Sequence, residues 1–359
     1  MKIILSGGGT LGPVVPLLAI AETYRAKNPQ VEYVWIGTRT GPEKDLVARH
    51  KIRFLTVGSA KWRRYFSLLN FIDLFKLVVA FFEALVILMR EKPDLLISCG
   101  GYVSVPVHFA GAFLGMPAWV HQQDAQIGLA NKLMFKAAWK ATGALEETTA
   151  KLPRKKSEWI GNPSRNLQIS DVGAARKKFG IPENKPVIFA LGGGTGSATI
   201  NQLILGAIPQ LPDDWHIIHL VGRERPRELS ERAAGIFKNY HVYDFFIDEM
   251  KDAYAIADVV IARAGFSTLT ELAVLKKAAL ILPMFGTHQE ENARVFAKNE
   301  GIIMLDNGVS GLKLAQILKE LIPNKKYLEK LGEKLHTLLP MTKPEKIIEI
   351  IEELTKEDE

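Results

Sequence analysis

The sequence of 359 residues has a single cysteine, Cys99, and no long uninterrupted apolar run. One thiol excludes a disulfide framework and any metal site built from several cysteines. The longest apolar stretch, residues 77–89, contains Glu83 and is too short to cross a bilayer as a helix. The opening residues Met-Lys-Ile-Ile-Leu-Ser are typical of a strand and lack the long apolar core of a secretory signal. We therefore expect a cytoplasmic protein without a transmembrane segment.

Two further absences concern nucleotide motifs. The glycine-rich segment 7–12 lies between a predicted strand and a predicted helix, but it has no P-loop lysine, which disfavours a nucleoside triphosphatase. The second predicted strand ends at Ile36 and Gly37 without the acidic residue that binds the ribose of NAD. An NAD site is therefore not expected, whereas the nearby Arg39 leaves an NADP site open.

The net charge of +7 is concentrated in the first half of the chain. Residues 1–160 hold 21 Lys and Arg against 12 Asp and Glu, whereas the remaining residues sum to a charge of −2. A basic segment of this kind suits nucleic acid or an anionic membrane surface. The sequence has no arginine-rich helix and no recognised nucleic-acid module, so we do not expect a nucleic-acid partner.

Apolar runs of strand length alternate with segments of helical periodicity along nearly the whole chain. The pattern forms two successive series, and each opens with a glycine-rich turn. It predicts an α/β fold with two doubly wound parallel-sheet domains, residues 1–162 and 163–342. A last helix within residues 343–357 is expected to cross back onto the first domain. The predicted strands are residues 2–5, 31–36, 52–56, 95–98, 118–120, 186–191, 216–220, 241–243, 258–262, 279–282 and 302–304.

Residues 258–292 bring together many small and polar groups at two predicted strand ends. Ligands bind at such ends in open α/β sheets. The helix between the two strands is expected to begin at Ser267 or Thr268, so that its N–H groups and positive dipole end suit a phosphate. Glu271, one turn later, suits a ribose diol. In the alternative interpretation, the hydroxyl is a helix cap and Glu271 is its capping-box partner.

A second glycine-rich segment, residues 192–196, also connects a predicted strand to a predicted helix. Its backbone N–H groups suit a diphosphate. The alternative reason for glycine in this segment is close packing of the helix against the sheet.

Several motifs occur in the order and spacing of one family. They are Gly8-Gly9-Thr10-Leu11-Gly12 with Pro16, Gly100-Gly101-Tyr102-Val103-Ser104, Val120-His121-Gln122-Gln123-Asp124, Gly161-Asn162-Pro163 with Arg165, Phe246-Ile247-Asp248, the segment 263–271, and the segment 288–292. With these motifs the chain resembles the MurG family of GT-B glycosyltransferases over nearly its whole length. The Gly-Gly-Tyr-Val-Ser and Gly-Asn-Pro motifs are the most specific, because the fold requires neither.

The resemblance implies a GT-B fold, in which two Rossmann-like domains face each other across a cleft. It implies an inverting transfer of N-acetylglucosamine from UDP-GlcNAc to the 4-hydroxyl of the muramyl sugar of undecaprenyl-linked lipid I. The product of that transfer is lipid II, a precursor in peptidoglycan synthesis. Such an enzyme is peripheral to the cytoplasmic face of the bacterial cell membrane and has no cofactor. The sequence contains no Asp-X-Asp pair, which fits metal-free chemistry.

The resemblance also assigns residues to the donor UDP-GlcNAc. The backbone of Ile247 would contact the uracil, and Glu271 would contact the ribose. Arg165 and the Gly194 loop would contact the diphosphate, where they can stabilise the negative charge on departing UDP. Gln289 would contact the sugar. The full set of expected donor contacts is Thr10, Leu11, Gly12, Asp124, Arg165, Gly194, Thr195, Ile247, Phe266, Ser267, Thr268, Leu269, Thr270, Glu271 and Gln289.

The acceptor side departs from the family pattern. Gly101, Tyr102 and Ser104 are expected on this side. The family's first loop reads Gly-Gly-Thr-Gly-Gly-His, but here Leu11 replaces one glycine and Pro13 replaces the histidine. In addition, the family's His-Glu-Gln-Asn has become His-Gln-Gln-Asp at residues 121–124, and the serine of the family's second loop is glycine at position 194.

The lost histidine raises the question of the general base. An inverting transfer needs a group within about 3 Å of the acceptor hydroxyl, or one water away, that accepts its proton. Pro13 cannot accept a proton. Asp124 adds a carboxylate where the family has asparagine, so it is the candidate base, and His121 is the second candidate. In the alternative interpretation, Asp124 hydrogen-bonds the sugar or caps the following helix.

Other functions stay open for the same reason. One is a non-catalytic homologue that binds a UDP-sugar or a lipid carrier, although Glu271, Gln289 and Arg165 argue against it because they serve the donor. The others are a glycolipid glycosyltransferase with a diacylglycerol acceptor and a UDP-GlcNAc 2-epimerase.

A basic and aromatic segment precedes the apolar stretch of the first domain. Such a patch suits insertion at an anionic membrane interface, at about 1 kcal/mol for each basic residue near the surface. The alternative is an ordinary core helix. The residues expected at the membrane are Lys61, Trp62, Arg63, Arg64, Phe66, Phe71 and Phe75.

Overall fold

The computed structural model describes residues 1–58, 69–165, 167, 171–226, 228–246 and 248–356. The chain divides into two compact units. Unit 1 comprises Met1–Arg165 and Met341–Glu359, and unit 2 comprises Asn166–Pro340. Each unit contains one parallel sheet, which confirms the predicted α/β fold with two parallel-sheet domains.

Unit 1 contains seven parallel strands. They are β1 (Lys2–Ser6), β2 (Glu32–Gly37), β3 (Arg53–Thr56), β4 (Leu95–Ser98), β5 (Ala118–Gln122), β6 (Lys140–Gly143) and β7 (Ser157–Trp159). Their order in the sheet is β3-β2-β1-β4-β5-β6-β7, so the strand order reverses between β1 and β4. The central strands are buried along nearly their whole length, because helices cover both faces of the sheet.

The apolar pattern did not predict β6 and β7. The first contains lysine, threonine and glycine, and the second is a three-residue edge strand with only one apolar side chain. Neither segment has the apolar run that marks a central strand. β6 joins the sheet by pairing with β5, and β7 joins it by pairing with β6.

The helices of unit 1 cover the sheet on both faces. They are α1 (Val14–Lys27), α2 (Glu43–Arg49), α3 (Leu69–Glu91), α4 (Ser104–Phe113), α5 (Leu129–Ala137) and α6 (Glu146–Thr149). Leu17 of α1 packs with Ile3 and Leu5 on one face, and Ala84 of α3 packs with Ile4 on the other. Within the described ranges, no helix combines the length and the apolar character needed to span a membrane.

Unit 2 repeats this plan with six strands. They are β8 (Val187–Leu191), β9 (His216–Leu220), β10 (Tyr240–Tyr243), β11 (Val259–Ala262), β12 (Ala279–Ile281) and β13 (Ile303–Met304). Their order is β10-β9-β8-β11-β12-β13, and the reversal lies between β8 and β11. The helices are α7 (Val172–Phe179), α8 (Ala198–Ala207), α9 (Glu228–Ile236), α10 (Glu249–Ile256), α11 (Phe266–Val274), α12 (His288–Lys298), α13 (Gly311–Leu321) and α14 (Lys325–Leu338).

The chain returns to unit 1 beside the segment that leaves it. Met341 forms a parallel bridge with Asn162, and the N–H of Thr342 donates to the carbonyl oxygen of Asn162 at 3.1 Å. The last helix, α15 (Pro344–Thr355), buries Ile350 in the same core as α1. The returning segment therefore completes unit 1.

Candidate active site

In unit 2, the segments that follow β8, β11 and β12 carry many of the expected donor residues, and these strands are neighbours in its sheet. Helix α11 follows β11 directly, and its N-cap is Gly265, with no side-chain cap. The first hydrogen bond of the helix runs from the N–H of Leu269 to the carbonyl oxygen of Gly265 at 3.0 Å. The N–H groups of Phe266, Ser267 and Thr268 therefore precede the intrahelical ladder. This is the part of a helix that suits a phosphate.

The capping-box interpretation of Glu271 is wrong. Helix α11 begins at Phe266, one residue earlier than the earliest predicted start, so Ser267 and Thr268 lie within its first turn. Glu271 is therefore too far from the N-cap to reach back to it. Its side chain is buried, with 7% of its surface exposed. A carboxylate can accept hydrogen bonds from both hydroxyls of a ribose diol.

The second glycine loop is exposed at its crest, residues 193–195, and tightly packed at Gly196. Gly193, Gly194 and Thr195 are exposed. Gly196 has a φ of +78°, and a Cβ there would lie 2.3 Å from the carbonyl oxygen of Val221. Glycine at 196 is therefore required by close packing, whereas the exposed crest remains available for a ligand. The packing interpretation therefore applies to Gly196, and a diphosphate at the crest stays a prediction.

Arg263 has a role that the sequence did not reveal. Its Nε donates to Ser197 Oγ at 3.1 Å, and its Nη1 donates to the carbonyl oxygens of Leu282 and Pro283 at 3.1 and 2.9 Å. Ser197 Oγ also accepts from the N–H of Ile200 as the cap of α8. Arg263 thus joins the ends of β11 and β12 to the start of α8, and desolvation lowers its pKa. The feature of the sequence that could have indicated this role is an arginine directly after a predicted buried strand.

The loop before α12 holds Gln289 in place. Its Oε1 accepts from the N–H of Met284 at 3.2 Å, and its own N–H donates to Thr287 Oγ1 at 3.3 Å. The side chain is partly exposed. Because Oε1 is held by the backbone, the Nε2 end of the amide is the part suited to a sugar hydroxyl.

The remaining expected donor residues are Ile247, Arg165 and the buried residues of α11. Ile247 lies outside the described residues, but Phe246 before it is buried against Phe179 and Phe189. Arg165 is the last residue of the first segment of unit 1. The side chains of Phe266, Leu269 and Thr270 are buried, so contacts from these residues to a donor are restricted to the backbone.

In unit 1, two glycine loops pack directly on each other at the reversal of strand order. A Cβ on Gly101 would lie 2.9 Å from the carbonyl oxygen of Gly8, and Gly101 has a φ of +98°. A Cβ on Gly9 would lie 2.5 Å from Cε1 of Tyr102. Thr10, Leu11 and Gly12 follow at the solvent side of this contact. Glycine in both loops is therefore needed to bring Tyr102 against the first loop.

Glu43 is the buried support of the first glycine loop, and sequence analysis missed it. Its carboxylate accepts from the N–H of Gly9 at 3.2 Å and from the N–H and hydroxyl of Thr38 at 2.7 and 2.5 Å. A buried negative charge beneath the loop disfavours the phosphate of a dinucleotide. Arg39, which had left an NADP site open, instead pairs with Glu83 at 3.0 Å. Both observations argue against a dinucleotide site.

The loop after β5 carries the candidate base. Asp124 is partly exposed. Gln123 is buried, and its Nε2 donates to the carbonyl oxygen of Gly12 at 3.3 Å, which joins this loop to the first glycine loop. Asp124, Gly12 and Tyr102 therefore belong to one edge of the sheet of unit 1.

Two expected site residues lie inside the protein. His121 is fully buried, its Nδ1 lies 2.9 Å from Thr142 Oγ1, and its Nε2 lies 2.9 Å from Asn162 Oδ1. Desolvation lowers the pKa of His121 to about 4. Ser104 is also fully buried, and its hydroxyl donates to the carbonyl oxygen of Gly100 at 3.1 Å. In this structure both side chains support the loops and neither presents an exposed group to an acceptor.

Comparison with known proteins identifies the family. The glycosyltransferase family 28 N-terminal domain matches residues 3–142, and the C-terminal domain of that family matches residues 187–359. The crystal structure of MurG from Acinetobacter baumannii has the same fold, with a TM-score of 0.76, 24% sequence identity and coverage of 98% of this chain and 99% of that chain.

Two curated relatives share more of the sequence. Both are named UDP-N-acetylglucosamine--N-acetylmuramyl-(pentapeptide) pyrophosphoryl-undecaprenol N-acetylglucosamine transferase. The Clostridium perfringens protein is 31% identical, over 95% of this chain and 98% of its own length. The Bacillus subtilis protein is 30% identical, over 99% of this chain and its full length. The chain belongs to the MurG family.

The MurG signature is thus distributed over both units. Unit 1 holds Tyr102 and the loop with Asp124, and unit 2 holds Glu271, Gln289 and the Gly194 loop. Each group lies at the carboxyl edge of its own sheet, at the strands where the order reverses or at the next strand. In α/β proteins this is the position at which ligands bind.

Proposed function

We propose that this protein transfers N-acetylglucosamine from UDP-GlcNAc to the 4-hydroxyl of the muramyl sugar of lipid I, with inversion, to form lipid II. The observation that carries the proposal is the full-length similarity to relatives named for this transfer, at 30% identity or more. In the transfer, the acceptor oxygen forms a bond to the anomeric carbon as the bond from that carbon to the phosphate oxygen breaks. The hydroxyl proton passes to a base, and UDP leaves.

The donor site of the proposal lies in unit 2. The start of α11 and the exposed crest of the Gly194 loop offer N–H groups, which stabilise negative charge on a diphosphate. Glu271 accepts hydrogen bonds from the ribose, and Gln289 donates to the sugar. The resemblance assigns Arg165, the residue before unit 2 along the chain, to the charge of the departing UDP.

The acceptor side of the proposal lies in unit 1. Asp124 is the base because it is a partly exposed carboxylate on the loop after β5. His121 is less suited to this role, because burial keeps its ring neutral and both nitrogens are engaged inside the protein. Tyr102 lines the same sheet edge beside the first glycine loop. Ser104 orders the loop after β4, which contains Gly100 and Gly101, through its hydrogen bond to Gly100.

A single assay tests the proposed reaction. UDP release from UDP-GlcNAc is measured with and without lipid I, and the glycan product is identified by mass spectrometry. Release that depends on lipid I, with lipid II as product, is the expected result. Release without an acceptor, with epimerisation at C2 of the sugar, would instead indicate an epimerase. Transfer to diacylglycerol would indicate a glycolipid glycosyltransferase, and binding without release a non-catalytic homologue.

We further propose that unit 1 binds the surface of an anionic membrane as a peripheral protein on the cytoplasmic face. The side chains of Phe82 and Phe113 have 57% and 73% of their surface exposed, on the adjacent helices α3 and α4. Phe81 packs edge-on against both rings, with centroid distances of 5.5 and 6.2 Å. Val78 and Met89 extend this exposed apolar face along α3. Clustered exposed apolar side chains of this kind mark interaction surfaces.

The basic residues predicted for this surface precede α3. Residues 61–66, with Lys61, Trp62, Arg63, Arg64 and Phe66, lie outside the described residues. Phe71 and Phe75 belong to the first part of α3. The exposed face of α3 therefore continues the predicted basic and aromatic segment along the chain, and their combination supports an anionic bilayer as the partner.

A further inference from the structure

The side-chain amide of Gln122 holds the backbone that carries Asp124. Gln122 is 2% exposed. Its Nε2 donates to the carbonyl oxygen of Asp124 at 2.8 Å and to the carbonyl oxygen of Gln126 at 3.3 Å. Its Oε1 accepts from Asn131 Nδ2 at 2.7 Å. The amide thus spans the turn from β5 to α5.

These contacts require an amide at position 122. Two backbone carbonyl oxygens converge on Nε2, and a donor on Asn131 faces Oε1. A carboxylate of the same shape would satisfy Asn131 but would place a negative oxygen against two carbonyl oxygens. Buried groups in such an arrangement lose their hydrogen bonds and repel each other.

Neighbouring side chains hold the same turn at other carbonyl groups. Asn131 Nδ2 also donates to the carbonyl oxygen of His121 at 3.3 Å, and Thr148 Oγ1 donates to that of Ala125 at 3.1 Å. The carbonyl oxygens of residues 121, 124, 125 and 126 therefore all accept from side chains. Gln122 contributes the contact to the residue that carries the candidate base.

We propose that Gln122 is the positioning residue for Asp124. This inference rests on the proposed function, because it takes Asp124 as the base of the transfer. Gln122 is buried and Asp124 is partly exposed. The buried amide donates to the backbone carbonyl oxygen of the residue that carries the partly exposed carboxylate. A second carboxylate at 122 would also disfavour ionisation of Asp124.

The test compares two substitutions at position 122 with one control. Gln122→Glu keeps the shape and removes the donor, and Gln122→Met removes the donor without adding a charge. Gln126→Glu is the matched control, because it adds the same charge in the same turn on an exposed side chain. For each variant, kcat and KM for lipid I are measured between pH 5.5 and 9, and UDP-GlcNAc affinity is measured by calorimetry.

Both Gln122 variants are expected to lose about 10- to 100-fold in kcat at neutral pH with donor affinity unchanged, because the base is displaced from its working geometry. Gln122→Glu carries an additional signature. Its introduced carboxyl can donate to the carbonyl oxygen of Asp124 only when protonated, so its kcat should fall with rising pH over a range where Gln126→Glu stays level. Destabilisation alone would not make the pH profile of Gln122→Glu differ from that of Gln126→Glu.

The inference is overturned if Gln122→Met folds and keeps kcat within about twofold of Gln126→Glu, or if Gln122→Glu shows the pH profile of the control. Asp124→Asn separates this outcome from failure of the proposed base. If Asp124→Asn retains turnover, Asp124 is not the base. If Asp124→Asn is inactive while both Gln122 variants are active, Asp124 is required and Gln122 does not position it.

Discussion

His121 Nε2 and Asn162 Oδ1 lie 2.9 Å apart inside unit 1, and this contact joins the end of β5 to the segment that leaves the unit. On its other side, the ring contacts Thr142 Oγ1, which also accepts from Trp119 Nε1 at 2.7 Å. Because the threonine oxygen accepts from the indole, its own hydrogen can point at His121 Nδ1. The ring then donates from Nε2 to the asparagine. The hydroxyl of Thr142, the neutral imidazole of His121 and the amide of Asn162 are thereby joined by hydrogen bonds in the core.

The first prediction concerns this contact. His121→Ala removes the buried imidazole that contacts Asn162 Oδ1 and Thr142 Oγ1, so the free energy of unfolding should fall by about 2 to 4 kcal/mol. Urea unfolding measures the change. Thr142→Val is the matched control, because it breaks the same series of hydrogen bonds without changing the imidazole. It should also lower the free energy of unfolding. If His121→Ala is as stable as the parent protein but inactive on lipid I, His121 acts on the substrate and takes over the role proposed for Asp124.

The second prediction concerns acid stability. Burial lowers the pKa of His108 and His121 to about 4 and that of His219 to about 3. In the unfolded chain each imidazole titrates near about 6.5. Between these values the unfolded chain binds protons that the folded protein excludes. The contribution of the buried imidazoles to the free energy of unfolding is therefore fully present above about pH 6.5. It decreases as the pH falls toward 4, by on the order of 3 kcal/mol for each ring.

Urea unfolding at pH 7.5, 6.0 and 4.5 measures this loss. His219→Asn should flatten the pH dependence of unit 2, where the ring contacts Tyr240 and Asn201. His219→Gln is a second variant that also removes the imidazole, and it should flatten the dependence in the same way. Equal stability at pH 7.5 and 4.5 would show that the buried rings do not control acid unfolding.

The third prediction concerns the donor. Glu271→Ala should weaken UDP-GlcNAc binding by about 1 to 3 kcal/mol, because a buried hydrogen bond to the ribose is lost. Calorimetric titration measures the affinity. The structural control is the melting temperature of the variant, which separates a lost contact from a damaged helix α11. Unchanged affinity in a folded variant would remove Glu271 from the donor site.

The fourth prediction concerns the base. Asp124→Asn keeps the shape of the side chain and restores the residue of the family, but it removes the group that accepts the proton. Turnover of lipid I should fall about 100-fold or more, with UDP-GlcNAc affinity unchanged. Steady-state kinetics and calorimetry on the same preparation measure both quantities. Retained turnover would return Asp124 to a role in holding the sugar or in capping the following helix.

The fifth prediction concerns the membrane. Phe82→Ser with Phe113→Ser should reduce co-sedimentation with anionic vesicles, because both rings are largely exposed. Serine at Trp62, Arg63 and Phe66 should reduce it further. Ile236→Ser is the control, since this exposed apolar side chain lies in unit 2. Binding that persists in the combined variant would place the membrane surface elsewhere.

The sequence predicted most strands because central parallel strands are short apolar runs. β1, β4, β8 and β11 are of this kind, and each was found within one residue at each end. β6 and β7 were missed because their segments lack such a run, and pairing of β6 with β5 and of β7 with β6 determines their structure. The start of α11 was misplaced because Ser267 and Thr268 are common cap residues, whereas the cap is Gly265.

The sequence by itself determined the two-sheet architecture and the motifs of the MurG family, since both follow from residues close together along the chain. Only the tertiary structure decided what the polar residues of these motifs do. His121 and Ser104 are buried supports, Glu43 lies beneath the first glycine loop, and Arg263 joins three element ends. The physical reason is that hydrogen-bond partners in a parallel sheet come from strands far apart in sequence. Whether a polar side chain meets solvent or the protein interior therefore depends on contacts that sequence spacing does not encode.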